Sequence, residues 1–521
     1  MKNNKEDIEK NLKLMAKTSI FVFIFLIISK FLTYIYKVVI ARYFGPDVYG
    51  LYSIASMAAG LLVAFSSLGL SEGMLRFVAL YRGRSQNEKI SYMFRFSMRI
   101  LIISGILAGL FLFFFADIIA VNIFHSINLI FYLKVFSISV PVAVISYAIL
   151  SVVRAYEEIN WYLFISSVAR NLFEVISLIV LIFIGLKDRA VAFSYTLGFI
   201  GMLILSYRIY KYKISYTLKK DILSKKERRE VFSELLKYSM PLIFSSFIFM
   251  LMGWTDSLAI GYFKSSIEVG FYNAALPIAM LLTFAPELFI KLFFPLINKE
   301  YSKNNLELIR ELSKQVSKWI FLLNLPLFLV LIILPEASLN FIFGANYIPA
   351  ANALRILAVG YFISSGIGSI SLRLITMTGR SKVILVNTTI VAVLNILLNF
   401  LLVPMEKIGF IDNSSGLAGA ALATLFSLAV MAIVLIYQSR YFLSIIPLRR
   451  SVLRLVIVSI IPTIILLYIK NSIHMNKIIF VLVSFFFLLL YLFLALIMKG
   501  FDRNDWIVIN SVKNKLKSIS K

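Results

Sequence analysis

The sequence predicts an all-α integral membrane protein with fourteen transmembrane helices. Of the 521 residues, 60% are hydrophobic and only 15% are charged, whereas soluble domains contain about 45 to 50% apolar residues. Apolar windows of about 20 residues, the length that crosses the hydrocarbon core, recur along the whole chain. The segments between these windows are too short for a separate soluble domain, so one membrane body is expected.

Fourteen apolar windows give the predicted spans in their order along the chain. Each window is bounded by charged residues, proline or glycine, which end a helix or anchor it at the membrane surface. The predicted spans lie near residues 17–40, 51–73, 94–117, 130–153, 162–185, 190–209, 239–261, 271–296, 316–339, 351–376, 383–404, 415–437, 450–469 and 478–498.

The orientation follows from the lysines and arginines, because cationic loops resist translocation. One set of alternate connections, together with both terminal tails, carries 36 of the 53 basic residues, and the other set carries 7. Both termini are therefore predicted to be cytoplasmic, in a multi-pass protein of the cytoplasmic membrane. The basic tail, 499–521, is predicted to form an amphipathic helix on the anionic inner leaflet.

The composition excludes several classes of function. The chain has no cysteine, so disulfides, thiolate catalysis and cysteine-ligated metals are excluded. It lacks a Walker loop, a GxGxxG turn and a zinc-type histidine cluster, so neither an enzyme nor a cofactor is expected. Either Na⁺ or H⁺ stays open as a coupling ion. The net charge of +27 lies mainly in loops between spans, which indicates a membrane location rather than a nucleic-acid partner.

An internal repeat divides the predicted spans into two sets of six. Residues 37–44 (KVVIARYF) and 50–55 (GLYSIA) are similar to residues 256–263 (DSLAIGYF) and 270–275 (GFYNAA). Six helices separate the two copies, so both run in the same direction, related by an axis along the membrane normal. This predicts two pseudo-symmetric six-helix lobes, followed by two C-terminal helices.

Domain boundaries follow from this repeat and from the charged linker between its copies. The predicted N-terminal lobe comprises residues 1–225 and the predicted C-terminal lobe residues 226–440. Residues 441–521 are predicted to hold spans 13 and 14 and the basic tail. The connection 208–237 is the longest of the chain and is strongly basic, as expected for a cytoplasmic linker.

Four motifs carry a resemblance to a known family. Residues 41–52 (ARYFGPDVYGLY), 68–79 (LGLSEGMLRFVA), 254–263 (WTDSLAIGYF) and 378–382 (TGRSK) resemble stretches of the polysaccharide flippases. These belong to the multidrug/oligosaccharidyl-lipid/polysaccharide exporter superfamily. The resemblance implies two lobes around a central cavity, alternating between inward-open and outward-open forms. It further implies a polyprenyl-pyrophosphate-linked oligosaccharide as cargo, membrane lipids as surroundings and glycan assembly enzymes as partners.

Ionisable residues inside the predicted spans are the candidate site, because a lipid-facing charge at mid-bilayer costs about 2.5 to 3.5 kcal/mol. Lys30 and Lys37 share one helical stripe with Tyr34. We expect the stripe to face the cavity and attract the carrier's pyrophosphate, and packing or interfacial anchoring is the alternative. The predicted substrate-binding cations are Lys30, Lys37, Arg76, Arg170 and Lys291.

Four carboxylates are candidates for gating or for coupling to an ion: Asp256, Glu72, Glu174 and Glu287. The last three have a basic residue four positions away, so each could pair on its own helix face. Such pairs serve either as plain charge burial or as switches, in which substrate phosphate releases a carboxylate to bind a cation. Asp256 and Lys37 occupy equivalent repeat positions with opposite charges, so they are predicted to approach and close an outer gate, or else to pair locally.

Three other functions remain open for this chain. A cation-coupled multidrug exporter of the same superfamily would favour twelve spans and an acidic site, whereas cations outnumber anions within the predicted spans here. A flippase for the peptidoglycan lipid precursor would have similar architecture and charge. A membrane glycosyltransferase or polymerase would need a sizeable catalytic loop outside the membrane, and the outward loops are short.

Overall fold

A computed structural model describes residues 2–215, 223–449, 451–473 and 475–498. These residues are helical apart from short connections and one small hairpin, in which Lys407–Ile408 pairs with Ile411–Asp412. The predicted all-α class is therefore confirmed. The predicted amphipathic tail, 499–521, lies outside the described residues.

The described ranges contain nineteen α-helices, joined by three π-helical and two 3₁₀ segments. The π-helical segments are Ile119–Ile123, Phe164–Ala169 and Ser364–Gly368, and the 3₁₀ segments are Met280–Thr283 and Ala345–Ala350. The α-helices are α1 Lys2–Ser66, α2 Leu70–Gly83, α3 Asn87–Phe114, α4 Ala116–Ile118, α5 Leu129–Ala155, α6 Ile159–Leu163, α7 Arg170–Phe183, α8 Arg189–Lys213, α9 Lys225–Phe263, α10 Ser266–Ala279, α11 Phe284–Tyr301, α12 Leu306–Ile333, α13 Pro335–Ile342, α14 Ala351–Ile363, α15 Ser369–Met377, α16 Ser381–Leu402, α17 Leu417–Leu443, α18 Ser451–Ser472 and α19 Lys477–Ile497.

Twelve stretches of the described chain are long and apolar enough to cross a membrane. Eleven of them each overlie one predicted span, and the twelfth, Ile27–Ser66, contains the first two predicted spans. The predicted seventh span lies within α9, which is not among the twelve. The chain is a multi-pass helical membrane protein, as the sequence predicts.

The long helix α1 breaks at Gly45, between the first two predicted spans. Gly45 has φ 85° and ψ −178°, a backbone conformation that residues with a side chain rarely adopt. The next residue is Pro46, which lacks a backbone donor and starts a helix well. At 1.5 Å per residue, the 40 residues of Ile27–Ser66 would otherwise extend about 60 Å, twice the thickness of the hydrocarbon core.

Side-chain caps begin several helices in polar connections. Ser224 starts α9 with a capping box, in which its hydroxyl accepts from the backbone of Glu227 while the Glu227 carboxylate accepts from the backbone of Ser224. Asn305 and Asn476 cap α12 and α19 through their side-chain oxygens, which accept from the backbone N–H of Leu308 and Ile479. These caps satisfy donors that the first turn leaves free, so the polar residues between apolar windows determine where helices begin.

The chain divides into two compact units, Met1–Gly270 and Phe271–Lys521. In the first unit, α5 is the central helix and packs against α1, α2, α3 and α8. Small and β-branched residues such as Ala143, Val144 and Ala148 are fully buried along it, because they allow close helix approach. In the second unit, α17 packs against α14, α15 and α16, and α18 packs against α12 and α19.

Candidate functional site

A buried ion pair joins Arg170 and Glu174, one turn apart on α7 in the first unit. The Nε and Nη2 atoms of Arg170 donate to Oε1 of Glu174 at 3.0 and 2.9 Å. The Glu174 side chain is 4% exposed and that of Arg170 is 22% exposed. The pairing expected from the four-residue spacing is formed. Because two charges in a membrane helix lose much of their hydration, the pair is a strong candidate for a functional group.

Neighbouring helices shape the space around this pair. A Cβ atom at Gly198 on α8 would overlap Cγ of Glu174 and lie 3.1 Å from its Cδ and Oε1 atoms, so the glycine makes room for the carboxylate. Asn171, which follows Arg170, donates from Nδ2 to the Thr33 hydroxyl at 2.9 Å and to the Ser29 carbonyl oxygen at 3.2 Å. The ion pair is therefore positioned against both α8 and α1.

Aromatic rings cover the other side of the guanidinium. Cζ of Arg170 lies 4.1 Å from the centroid of the Phe199 ring and 5.8 Å from that of Tyr195. Tyr195 itself stacks on Phe136, with ring centroids 4.1 Å apart. Rings that face a cation stabilise it without neutralising it, so Arg170 keeps its attraction for an anion.

Lys37 on α1 brings a second cation to this pair. It is half-buried and interacts electrostatically with Glu174. The adjacent Tyr36 is hydrogen-bonded to Ser194 on α8, with 2.8 Å between their hydroxyl oxygens. Three predicted site residues, Lys37, Arg170 and Glu174, are thus brought together. We call these three residues, with Tyr195 and Phe199, the first-unit cluster.

The helix that carries Arg170 begins in an irregular segment. The π-helical segment Phe164–Ala169 directly precedes α7. Wide turns of this kind occur frequently at functional sites, since they leave backbone groups with weaker internal hydrogen bonds. This local irregularity was not predicted from the sequence.

The other predicted first-unit residues lie in different surroundings. Lys30 is exposed on α1. Arg76 is also exposed and places its Cζ 4.4 Å from the centroid of the Tyr238 ring. Glu72 lines a cavity of about 220 Å³ with Tyr147, Arg154 and Tyr162 among others. In the described part of the chain, Glu72 and Arg76 form no ion pair, unlike Arg170 and Glu174, because the Arg76 guanidinium packs on the aromatic ring.

Asp256 is half-buried on α9. Its approach to Lys37 at a gate stays a prediction. In the second unit, Glu287 and Lys291 line a cavity of about 300 Å³ together with Arg373. The structure therefore separates the predicted site residues into groups with different neighbours.

The structure buries several polar residues that were not among the predicted site residues. Lys318 on α12 has no exposed surface, and Asn171 and Asn324 are 7% and 2% exposed. Asn171 and Asn324 interrupt apolar stretches of membrane helices, where polar groups need partners, so a signal was present for both. Lys318 lies where the polar start of α12 gives way to its apolar part, so the sequence alone does not distinguish it from a residue at the membrane surface. Among the described residues, no group of three His, Cys, Asp or Glu side chains could hold a metal ion.

Comparison with known families identifies the chain. A family model described as polysaccharide biosynthesis protein matches residues 15–299, more than half of the sequence. The chain belongs to the polysaccharide biosynthesis protein family. A second family model, MatE, matches residues 241–401 of this family member. The family membership expected from the four sequence motifs is thereby confirmed.

Two curated relatives of this polysaccharide biosynthesis family member come from archaea. The probable low-salt glycan biosynthesis flippase Agl15 of Haloferax volcanii is 27% identical over 261 residues, 50% of this chain and 51% of that protein. The uncharacterized membrane protein MJ1068 of Methanocaldococcus jannaschii is 24% identical over 300 residues, 56% of each chain. The chain thus spans about half the length of these relatives.

Solved structures similar to this family member show the same fold. The lipid II flippase MurJ in an inward closed conformation has a TM-score of 0.69 at 17% identity, covering 92% of this chain and 98% of that one. An inward-facing MATE family multidrug resistance transporter of the MOP superfamily has a TM-score of 0.64 at 16% identity. The match covers 81% of this chain and 98% of that one. At such low identity, these similarities establish the fold alone.

Proposed function

We propose that this chain is an alternating-access flippase for a lipid-linked oligosaccharide of the polyprenyl-pyrophosphate type. It moves this lipid across the cytoplasmic membrane for the assembly of surface polysaccharide or glycan. The observation that carries the proposal is the first-unit cluster, in which two cations and one carboxylate lie within membrane-crossing helices of a polysaccharide biosynthesis family member. The chain acts as a transporter and not as an enzyme.

The charges of the first-unit cluster suit an anionic cargo. Lys37 and Arg170 outnumber Glu174, and a pyrophosphate group carries charges that Arg can bind through two parallel hydrogen bonds. When phosphate oxygens replace the carboxylate at Arg170, Glu174 is left to bind a coupling cation, Na⁺ or H⁺. Lys30 and Arg76, both exposed, attract the head group as it enters.

We propose fourteen spans with both termini in the cytoplasm. The helix break at Gly45 supports two spans within Ile27–Ser66, and α9 is a 39-residue helix that can hold the seventh. The excess of basic residues in one set of connections supports the orientation. The two six-helix lobes, 1–225 and 226–440, and the C-terminal pair of helices in 441–521 belong to the same proposal.

The cargo is inferred from the family and from two printed names. Agl15 is described as a probable flippase of glycan biosynthesis, and MurJ as a lipid II flippase. Both names describe a flippase, one of glycan biosynthesis and one of lipid II. We therefore infer that this chain shares that class of partner, along with membrane lipids and the enzymes that assemble glycans.

Reconstitution in liposomes with a fluorescent lipid-linked oligosaccharide tests the proposal. A quencher that cannot cross the membrane reports the fraction of label in the outer leaflet. Wild-type protein is expected to expose all of the label, whereas Arg170→Gln and Lys37→Gln should slow exchange about tenfold or more. Arg189→Gln is the matched control, because its guanidinium also lies over an aromatic ring, Phe131, at 5.2 Å from the centroid. Equal exchange with and without wild-type protein would overturn the proposal.

A cation-coupled exporter is the second candidate function. The MatE family model matches residues 241–401, and a MATE transporter shares the fold. The same liposomes, loaded with a fluorescent cationic drug, separate the two functions. Drug efflux driven by a Na⁺ or H⁺ gradient, with no exchange of the lipid-linked oligosaccharide, would favour the exporter.

A further inference from the structure

A cavity of about 300 Å³ with several charged and polar residues in its lining lies within the second unit. Its lining includes two cations, Lys291 and Arg373, and one carboxylate, Glu287. Hydroxyl groups supply most of the remaining polar lining, from Thr283, Ser364, Ser365 and Ser369. The hydroxyls of Thr283, Ser365 and Ser369 donate to backbone carbonyl oxygens, so the two cations supply most of the donors for a ligand. A cavity with more cations than anions is suited to an anion.

Two membrane helices lose regular α-helical geometry beside this cavity. The 3₁₀ segment Met280–Thr283 separates α10 from α11, and the π-helical segment Ser364–Gly368 separates α14 from α15. Thr283 and Ser364 belong to these segments and line the cavity. In transporters, interrupted helices occur where backbone groups line a binding site in the membrane. The two breaks therefore indicate a built site rather than a gap between packed helices.

Asn324 on α12 holds the two interrupted segments together. Its Nδ2 atom donates to the carbonyl oxygen of Leu282 at 2.7 Å and to the Ser365 hydroxyl at 2.9 Å. The Asn324 side chain is buried, and Ser317 on the same helix donates to the Gly366 carbonyl oxygen at 3.3 Å. These bonds satisfy carbonyl groups that a regular helix would pair, so α12 fixes the shape of the cavity.

Arg373 is the least satisfied cation of the lining. Its Nε atom is buried without a hydrogen-bond partner among the described residues. Its guanidinium lies 5.9 Å from the centroid of the Phe294 ring, a contact that does not neutralise charge. A buried donor without a partner costs free energy, and a ligand that accepts from the same group removes part of that cost.

We propose that this cavity binds a phosphate group of the carrier lipid, with Arg373 as its main anchor. The part of this inference that names the carrier rests on the proposed function, whereas the binding of phosphate does not. Arg373 offers a planar set of donors that matches two phosphate oxygens, Lys291 adds a point charge, and the Ser364 hydroxyl supplies a further donor. The second unit thereby holds a head-group site of its own, distinct from the first-unit cluster.

Binding to the purified full-length protein tests this site with two probes, inorganic pyrophosphate and geranyl pyrophosphate. The Arg170→Gln background reduces binding at the first-unit cluster, so the remaining affinity reports the second-unit cavity. In that background, Arg373→Gln should raise the Kd of either probe about tenfold or more, and Arg373→Lys should restore part of the loss. Ser364→Ala should raise the Kd by a smaller factor and provides the test if Arg373→Gln does not fold.

Arg380→Gln is the matched control, because Arg380 also packs over an aromatic ring in this unit, 3.9 Å from the centroid of Phe442, but does not line the cavity. The proposal would be overturned if folded Arg373→Gln bound the probes with an unchanged Kd. It would also be overturned if Arg380→Gln lost as much affinity as Arg373→Gln. Dioctanoyl phosphatidylglycerol distinguishes the source of the phosphate. If it binds as tightly as geranyl pyrophosphate through Arg373, the cavity serves phospholipids and the assignment to the carrier is wrong.

The liposome assay separates this inference from the proposed function. Pyrophosphate binding that depends on Arg373, in a protein that exchanges no lipid-linked oligosaccharide, supports the cavity and rejects the flippase. Exchange of that lipid without any Arg373-dependent binding supports the flippase and rejects the cavity.

Discussion

At the residue scale, the first-unit cluster holds opposite charges inside membrane helices. Arg170 and Glu174 neutralise each other across one helical turn, and Lys37 adds a cation from a second helix. A hydrogen-bonded pair offsets part of the desolvation cost that either charge alone would bring. The cluster therefore depends on close fit, and small changes of volume beside the carboxylate should disturb it.

Gly198→Ala is expected to destabilise the protein. The added Cβ would overlap Cγ of Glu174, so α7 and α8 must separate or the carboxylate must leave Arg170. The overlap should cost about 1 to 3 kcal/mol, only partly offset by the roughly 1 kcal/mol that alanine gains from helix propensity. Thermal unfolding of the purified protein measures the change. Gly253→Ala is the control, since a Cβ there meets nothing within 4 Å, and equal midpoints for the two variants would contradict the prediction.

Among the helices, which are similar in composition, the ends and the close contacts distinguish one apolar helix from the next. The capping box of Ser224 and Glu227 starts α9, and the break at Gly45 divides α1. Hydrogen bonds from the backbone N–H and the hydroxyl of Ser224 to the carboxylate lower the pKa of Glu227 below its usual range. The capping box acts through a few polar atoms, and the helix break depends on the lack of a side chain at Gly45.

The capping box should contribute stability above the usual pKa of a glutamate and lose it as the pH falls. A carboxyl whose pKa is lowered by folding stabilises the folded state only while it is charged. Glu227→Gln should therefore lower the unfolding midpoint at pH 7, and the difference from wild type should vanish as the pH drops through the lowered pKa. Thermal unfolding at pH 3 to 7 measures this. A difference that stays constant with pH would show that the charge of Glu227 has no role in the cap.

Gly50 and Gly270, equivalent positions of the repeat, make a reciprocal close contact in the first unit. A Cβ at Gly50 would overlap the carbonyl oxygen of Ser266, and a Cβ at Gly270 would overlap that of Pro46. Asp47 Oδ1 also accepts a hydrogen bond from the Ser266 hydroxyl at 2.5 Å. The backbones of the two segments thus approach as closely as glycine allows.

Gly50→Ala and Gly270→Ala should each lower the unfolding midpoint, because backbone atoms cannot move aside as a flexible side chain can. The free energy of unfolding of the double variant should fall by less than the sum of the two single decreases, since both substitutions disrupt one contact. Denaturant unfolding of the two single variants and the double variant gives the coupling energy. Strictly additive losses would mean that the two glycines act independently.

At the scale of the whole molecule, the direction in which the chain crosses the membrane determines which connections are accessible from outside. The basic residues predict that the loop holding Lys264 faces outward and that holding Lys382 faces the cytoplasm. The chain has no cysteine, so single introduced thiols can be labelled without background. Lys264→Cys should react with a membrane-impermeant maleimide in intact cells, and Lys382→Cys only after permeabilisation. The reverse pattern would invert the topology, and labelling of both in intact cells would contradict the span count between them.

The membrane class, the family and most helix positions could be predicted from the sequence, because apolar length, loop charge and short motifs are local features that need no knowledge of packing. The sequence also predicted the pairing of Arg170 with Glu174, since residues four apart share one helix face. Which polar groups approach one another across helices followed only from the fold. Lys37 interacts electrostatically with Glu174, the Arg76 guanidinium lies over the Tyr238 ring, and Asn324 donates hydrogen bonds to two interrupted helices. These contacts depend on the rotation and separation of helices far apart in sequence, which periodicity along one helix leaves undefined.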